Sequence, residues 1–266
     1  MTVLALKLVL TPMLIAIATL TGRRWGPSIG GWLVGLPFTS GPVSLFLALE
    51  QGTSFAAAAA AGSIAGAAAS ALFAVAYAGV ARRSGWPASL GFASVVFFAS
   101  VIALRALPLG SELPFPLLAL YFGTLVALAL AIRVLAEPGD LPAAVSPPRW
   151  DLPARMTVAT VLVLIITSAA SLLGPQLTGL LTTYPVYASV LAVFAHSQGG
   201  GAAAIHVVRG LCYGLFAFVS FFFAIGATID RVGIVAAFVA AIAAALFVQT
   251  LSLSRLRTRA LTVPTA

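Results

Sequence analysis

Long apolar runs separated by short polar breaks dominate the chain. A helix needs about 20 predominantly apolar residues to cross the roughly 30 Å hydrocarbon core of a bilayer. We predict a span in each of nine runs: 3–21, 27–49, 53–81, 86–105, 112–135, 154–173, 175–197, 200–226 and 229–251. The alternating pattern of membrane barrel strands does not match these runs. The hydropathy pattern therefore predicts an all-α polytopic membrane protein.

Charged residues are scarce, which narrows the class of protein. They make up 8% of the 266 residues, whereas a soluble domain carries about 25%. Too little polar surface remains to cover a soluble enzyme. The net charge of +8 comes from basic residues in twos and threes, without a basic face interleaved with aromatic residues, so no nucleic-acid partner is expected. The expected partners are the lipid bilayer and a small-molecule solute.

The distribution of basic residues predicts the orientation of the spans. The first run follows Lys7 but lacks a convincing small-x-small cleavage site, so we expect an uncleaved helix. Three basic residues, Lys7, Arg105 and Arg231, fall on one side of the predicted membrane. Ten fall on the other: Arg23, Arg24, Arg82, Arg83, Arg133, Arg149, Arg155, Arg255, Arg257 and Arg259. The positive-inside rule then predicts a bacterial-type inner-membrane protein with its N-terminus outside and its C-terminus in the cytoplasm.

A proline-rich segment divides the chain. Residues 136–153 hold five prolines and scattered charges, which prevent helix continuation and predict a cytoplasmic linker. The linker separates an N-terminal repeat of five spans (1–135) from a C-terminal repeat of four spans (154–251). A basic cytoplasmic tail (252–266) follows.

The two halves align without a gap when the sequence is shifted by 148 positions. GPSIGGWLVGLPFTSGPVSLFLALEQG, from Gly26, then falls on GPQLTGLLTTYPVYASVLAVFAHSQGG, from Gly174. The coinciding glycines and prolines include Pro37/Pro185, Gly52/Gly200, Gly62/Gly210 and Gly66/Gly214. Five spans precede the second copy, so it should be inserted upside down relative to the first. Inverted repeats of this kind are common in secondary transporters.

Both copies carry a proline in the middle of their second span. Pro37 and Pro185 remove a backbone donor and expose carbonyl groups, and such groups survive at membrane depth only inside protein or beside a watery cavity. Hydroxyl groups surround both prolines. We predict two broken helices that meet and bind solute through Pro37, Thr39, Ser40, Thr183, Tyr184, Pro185 and Tyr187. The alternative is a pair of simple proline kinks whose hydroxyls bond to their own helices.

A polar cluster marks the span at 200–226. His206, Arg209 and Tyr213 are spaced three and four residues apart and share one helix face. A mid-depth arginine costs at least about 2.5–3.5 kcal/mol on insertion scales, so it should face protein or water. We expect Arg209 to hold an anionic group and His206 to carry a proton. A snorkelling arginine is the alternative.

The acidic residues at the predicted outer ends of spans are Glu50, Glu112 and Asp230, so none of them lies in a span core where it could neutralise Arg209. This favours an anionic solute as the partner of the Arg209 charge. His196, at the end of span 175–197, is a second candidate for proton coupling. Its alternative is a hydrated cap at the membrane surface.

Other chemistry is not indicated. The sequence has no Walker motif, no HExxH, no Cys/His cluster and no nucleophile elbow, so we expect neither an enzyme nor a metal or other cofactor. Small residues at Ala58, Gly62, Gly66 and Ser70 predict close helix packing, and they are also compatible with a homodimer.

One stretch resembles a known family. TGLLTTYPVYASVLAVFAH (178–196) resembles the signature of the GlpM/DUF3147-type small inner-membrane proteins, with an aromatic-Pro pair and a His about ten residues on. In the first half, Leu36 replaces the aromatic residue and Ala48 the His. The resemblance implies a duplicated version of that family, which has been linked to envelope polysaccharide production.

These patterns lead to one main hypothesis and two alternatives. We expect an ATP-independent secondary transporter of a small solute, with an anion favoured and proton coupling through His206 or His196. The first alternative is a non-transporting factor for envelope polysaccharide or lipid production. A membrane enzyme acting on lipid-linked substrates comes third.

Overall fold

The computed structural model describes residues 2–38, 40–106, 116–135, 148–173 and 184–261. Within these ranges the chain forms helices and no strand, which confirms the all-α class. The helices are α1 (Thr2–Trp25), α2 (Pro27–Val34), α3 (Ser40–Gln51), α4 (Thr53–Ala81), α5 (Trp86–Ala106), α6 (Pro116–Val134), α7 (Asp151–Leu173) and α8 (Val186–Leu261). The predicted run 53–81 coincides with α4.

Two glycines divide α8 into three segments. Gly200 has φ 73° and ψ −175°, and Gly233 has φ 78° and ψ 173°. We call the segments α8a (186–199), α8b (201–232) and α8c (234–261). Gly52, between α3 and α4, has the same backbone conformation with φ 89° and ψ 170°. Glycine adopts this positive-φ conformation without the steric penalty of a β-carbon.

Several helices are compatible with a membrane. Among the described residues, four stretches are long and apolar enough to cross one: Thr53–Ala81, Trp86–Leu104, Pro116–Val134 and Val186–Ser252, the last containing both glycine breaks. This agrees with the membrane class predicted from the hydropathy pattern. The count of nine spans and the orientation remain predictions.

The core forms where α4 packs against α8. The helices α5 and α6 flank α4, whereas α2 packs on α8 and α1 packs on α2 and α7. Large side chains such as Phe73, Tyr77 and Phe222 are at most 1% exposed. Small residues line α4, as predicted, but its buried face runs through Ala56, Ala60 and Ile64 at the N-terminal end. Ala58 and Gly62 are exposed, so only the later part of the predicted stripe is buried.

Helices α2 and α8b meet backbone to backbone. A β-carbon on Gly31 would collide with the carbonyl oxygen of Val207, and one on Gly210 would collide with that of Ser28. Such an approach requires glycine at both Gly31 and Gly210. The repeat-matched glycine Gly210 therefore has a packing role.

The predicted interruption at Pro37 is present. Helix α2 ends at Val34 and α3 begins at Ser40, and the Gly35 and Leu36 amides bond to carbonyls three residues back, at 3.3 and 3.2 Å. In the second half, α8 begins directly after Pro185. Residues 174–183, including Thr183, lie outside the described residues, as does Thr39.

Candidate functional site

A cavity of about 270 Å³ lies beside the interruption at Pro37. Helix α1 contributes Met13, Leu14 and Ile17, and the interruption contributes Leu36 and Phe38. Small-molecule pockets usually span about 300–1,000 Å³ and are mostly apolar with a few polar groups. The volume of this cavity is therefore slightly below that range.

Tyr187, two residues after Pro185 and near the beginning of α8a, lines the same cavity. The Tyr187 hydroxyl donates to Oγ1 of Thr11 over 3.2 Å, tying α8a to α1. Residues on either side of Pro37 and a residue shortly after Pro185 therefore line one cavity, while the predicted meeting of two broken helices stays a prediction. The lining is almost wholly apolar, which the hydroxyl-rich sequence around the prolines did not predict.

The Tyr184 side chain does not line the cavity but packs against α5. Its hydroxyl lies 2.8 Å from Oγ of Ser94 on α5, and its ring stacks on Phe98 with centroids 5.7 Å apart. Ser189 donates to the carbonyl of Pro185 over 2.9 Å, which is the local bonding expected of a simple kink. Ser40 is half-buried at the start of α3 and is not a lining residue. Of the predicted hydroxyls that are described, only Tyr187 reaches the cavity.

His206 joins α8b to α2. Its Nδ1 lies 3.2 Å from Oγ of Ser28, near the beginning of α2. Arg209 is 8% exposed and Tyr213 is 9% exposed. None of the three lines the cavity. The link to the cavity is through α2, because His206 contacts Ser28 on this helix and Leu33 and Val34 of the same helix line the cavity.

His196 is buried, unlike the hydrated cap considered as its alternative. It is 9% exposed, and its Nδ1 lies 3.4 Å from the hydroxyl of Tyr77, which is fully buried. The His–Tyr contact joins α8a to α4. The sequence analysis missed Tyr77, although a single tyrosine among the small residues of α4 is a recognisable signal.

A buried ionic cluster, which was not predicted from the sequence, surrounds Asp151, and we call it the Asp151 cluster. Asp151 begins α7 and is fully buried, and its Oδ2 accepts from Arg23 at 2.7 Å and from Arg155 at 2.8 Å. Its Oδ1 accepts from Nε2 of Gln198 on α8a. The spacing of four residues between Asp151 and Arg155 was the available signal.

The charges around Asp151 decide its protonation. Burial alone would raise the pKa of the Asp151 carboxyl, but hydrogen bonds from Arg155, Arg23 and Gln198 lower this pKa below its usual range. The carboxylate is therefore ionised and holds α1, α7 and α8a together. Arg155 also lies over the ring of Phe194, 4.8 Å from its centroid.

Fold and cavity together define an all-α protein with membrane-compatible helices and a small apolar cavity beside a broken helix. Among the described residues, no three His, Cys, Asp or Glu side chains are grouped so that they could hold a metal ion. No protein-family model, curated protein or solved structure matches the chain.

Proposed function

We propose that the protein is an ATP-independent secondary transporter of a small solute in a bacterial-type inner membrane. One observation carries this proposal: Leu36 and Phe38, which flank Pro37, and Tyr187, two residues after Pro185, line the same cavity. A solute bound between two interrupted segments can be released to either side when the segments shift. Alternating access needs such a shared site.

The proposal includes nine spans arranged as two inverted repeats. Gly52 and Gly200, related by the shift of 148 positions, have φ values of 89° and 73°, and each separates two helices. A shared backbone break at matched positions supports duplication, because sequence similarity among apolar residues alone would not require it. The N-terminus outside and the C-terminus in the cytoplasm follow from the basic residues.

The lining of the cavity favours a solute with an apolar body. The buried positive charge of Arg209, on the helix face it shares with His206, supports an anionic group at one end of that solute. Short organic carboxylates combine both properties. His206 is the proposed proton carrier, with His196 as a second. This role is not enzymatic and uses neither a nucleotide nor a metal.

A second candidate is a non-transporting factor for envelope polysaccharide or lipid production, as the GlpM/DUF3147 resemblance implies. Local hydroxyl bonding favours it: Ser189, Ser220 and Thr228 donate to carbonyls four residues back in their own helices. A hydroxyl bonded in this way uses its proton within its own helix and does not donate to a solute. In this role the cavity would have no ligand.

The cavity can be tested directly in proteoliposomes containing the purified protein. The measurement is flux of radiolabelled carboxylates of two to eight carbons, with and without a proton gradient. Met13→Trp places a large ring at a lining position, whereas Val9→Trp, on the same helix, changes a residue outside the lining.

We expect wild-type flux of at least one carboxylate, a loss of at least tenfold in Met13→Trp, and normal flux in Val9→Trp. Absence of flux for every carboxylate with folded protein would overturn the proposal. Equal flux in the two variants would overturn the assignment of the cavity as the site.

A further inference from the structure

Two Arg–Trp pairs lie beside the ion pair that joins α1 to α7. Arg23, near the end of α1, binds Asp151 at the beginning of α7, with 2.7 Å between Nη2 and Oδ2. The first pair, Arg24–Trp25, directly follows Arg23, and the second pair, Arg149–Trp150, directly precedes Asp151. The Arg23–Asp151 bond therefore brings both pairs to the same end of two neighbouring helices.

All four side chains of these pairs are exposed. Trp25 is 59% exposed and Trp150 is 63% exposed, although tryptophan is highly buried on average in folded proteins. The guanidinium of Arg24 lies over the Trp25 ring, 5.3 Å from its centroid. Within the described part of the chain both ion pairs use the Asp151 carboxylate, so Arg24 and Arg149 have no acidic partner there. Two positive charges and two aromatic rings thus face outward at this end.

The exposed surface becomes apolar along both helices, away from the Arg–Trp pairs. On α1, the exposed Leu20 is four residues before Arg24, which is about 6 Å along the helix. On α7, which packs against α1, Val158, Val161 and Ile165 are exposed at the spacing of one helix face. A surface that is basic and aromatic at its end and apolar beyond it matches the headgroup and the acyl chains of a lipid.

We propose that the Arg–Trp pairs at 24–25 and 149–150 bind the headgroup of an anionic phospholipid whose acyl chains lie along α1 and α7. Guanidinium groups bind phosphate oxygens through paired hydrogen bonds, and tryptophan rings are enriched at the headgroup level of membranes. A free phosphate ion would use the arginines alone, whereas the two exposed rings and the apolar surface match a lipid. This inference does not depend on the proposed transport function.

A lipid bound at this site should stabilise the fold. The site includes residues from both α1 and α7, and it exists only while the Arg23–Asp151 bond holds the two helices together. A ligand that binds the folded chain and not the unfolded chain raises the melting temperature. Lipid binding and thermal stability are therefore two separate readouts of the same site.

Native mass spectrometry of the purified full chain in detergent counts bound lipids directly. The probes are phosphatidylglycerol and phosphatidylcholine with identical acyl chains, because these lipids differ in net charge. The test variant carries Arg24→Gln and Arg149→Gln together. Both residues are exposed and take no part in the Asp151 cluster, so the variant should fold.

The matched control carries Arg82→Gln and Arg83→Gln, which also removes two exposed arginines. These residues follow α4, whose end lies near the Asp151 cluster. A β-carbon on Gly201 would collide with the Ala81 carbonyl, and Gln198, three residues before Gly201, bonds to Asp151. The control therefore tests for a general effect of positive charge at this end of the helix assembly.

We expect the wild type to bind phosphatidylglycerol at least tenfold more tightly than phosphatidylcholine. The test variant should lose at least tenfold in affinity for phosphatidylglycerol, because each arginine near an anionic membrane contributes about fivefold. The single variants Arg24→Gln and Arg149→Gln should each lose about fivefold, and the control should bind normally. Phosphatidylglycerol should raise the melting temperature of the wild type and the control, but not that of the test variant.

Three outcomes would overturn the proposal. Equal affinity of the wild type for the two lipids would exclude recognition of a net negative charge. Equal losses in the test variant and the control would show that the lipid responds to surface charge in general. Displacement of the lipid by millimolar inorganic phosphate, with unchanged lipid affinity in a Trp25→Ala and Trp150→Ala double variant, would show a site for a free anion.

Discussion

Gly35, directly after α2, and Gly214 of α8b lie face to face, so that a β-carbon on Gly35 would come within 2.6 Å of the Gly214 α-carbon. Helices in a membrane gain stability from close van der Waals packing, because lipid supplies no hydrophobic drive between them. This contact holds α2 in place. The proline break that follows α2 is positioned by it.

Replacing a glycine where α2 and α8b pack together should destabilise the protein. Gly210→Ala would drive a methyl group into the Ser28 carbonyl, and overpacking of this kind costs about 1–3 kcal/mol or more. Gly62→Ala is the matched control at the repeat-related position, where a methyl group meets no described atom within 4 Å. Thermal unfolding in detergent should separate the two variants. Equal melting temperatures would contradict the packing role of Gly210.

Acid should weaken the Asp151 cluster. The pKa of Asp151 is lowered in the folded state. The stability that its carboxylate contributes is therefore fully present above the unfolded pKa of about 3.9, and it is lost as the pH falls through the lower folded pKa. We expect wild-type stability to fall below about pH 4. The measurement is the thermal unfolding midpoint at pH 3 to 7.

Asp151→Asn should remove that part of the pH dependence. At pH 7 Asp151→Asn should lower the free energy of unfolding by an amount near the lower end of the roughly 3–5 kcal/mol that breaking a buried ion pair costs. The lower end is expected because Arg23 is 35% exposed, so that solvent screens its charge. Asp230→Asn, at an exposed site, should leave the curve unchanged. If the unfolding midpoint of Asp151→Asn falls at low pH as it does in the wild type, Asp151 is not the source of the acid sensitivity.

Arg209 should be required for flux of the proposed anion. Arg209→Gln removes the charge and should lower carboxylate flux at least tenfold. Arg209→Lys keeps the charge without the planar fork and should retain part of the flux. Size-exclusion chromatography and a melting curve check that both variants fold. Normal flux in Arg209→Gln would eliminate the anion site.

His206 should couple protons to solute movement. His206→Gln keeps a side chain able to bond Ser28 but cannot change its charge near neutral pH. We expect solute exchange to continue while solute-driven proton uptake, followed with a pH-sensitive dye inside the vesicles, disappears. His196→Gln should retain both. Proton uptake that survives in His206→Gln would exclude this residue as the carrier.

Local features of the fold were readable from the chain. The apolar run 53–81 predicted α4 to the residue, and Pro37 with its neighbouring glycine predicted the interruption between α2 and α3. Each prediction depends only on residues within about one span of each other. The division of α8 at Gly200 falls at the boundary between the predicted runs 175–197 and 200–226, whereas the division at Gly233 lies inside the predicted run 229–251 and was not predicted.

The candidate site was only partly predictable. The proline breaks pointed to the cavity, and the shared face of His206 and Arg209 is present on α8b. The apolar lining was not predicted, because half of it comes from α1, and the packing of α1 against α2 is not visible in the apolar sequence of either helix. Tyr184 does not line the cavity as predicted, because its hydroxyl bonds to Ser94, a residue 90 positions away in the sequence.

By itself the sequence determined the class of protein, the helices and their interruptions, since hydropathy, proline and glycine act on the adjacent backbone. The tertiary structure alone decided which face of α4 is buried, that Tyr187 reaches the cavity, and that Asp151 meets Arg23 across 128 residues. Such contacts depend on how separate helices pack, and many packings satisfy the same apolar pattern. Only the packed chain selects one of them.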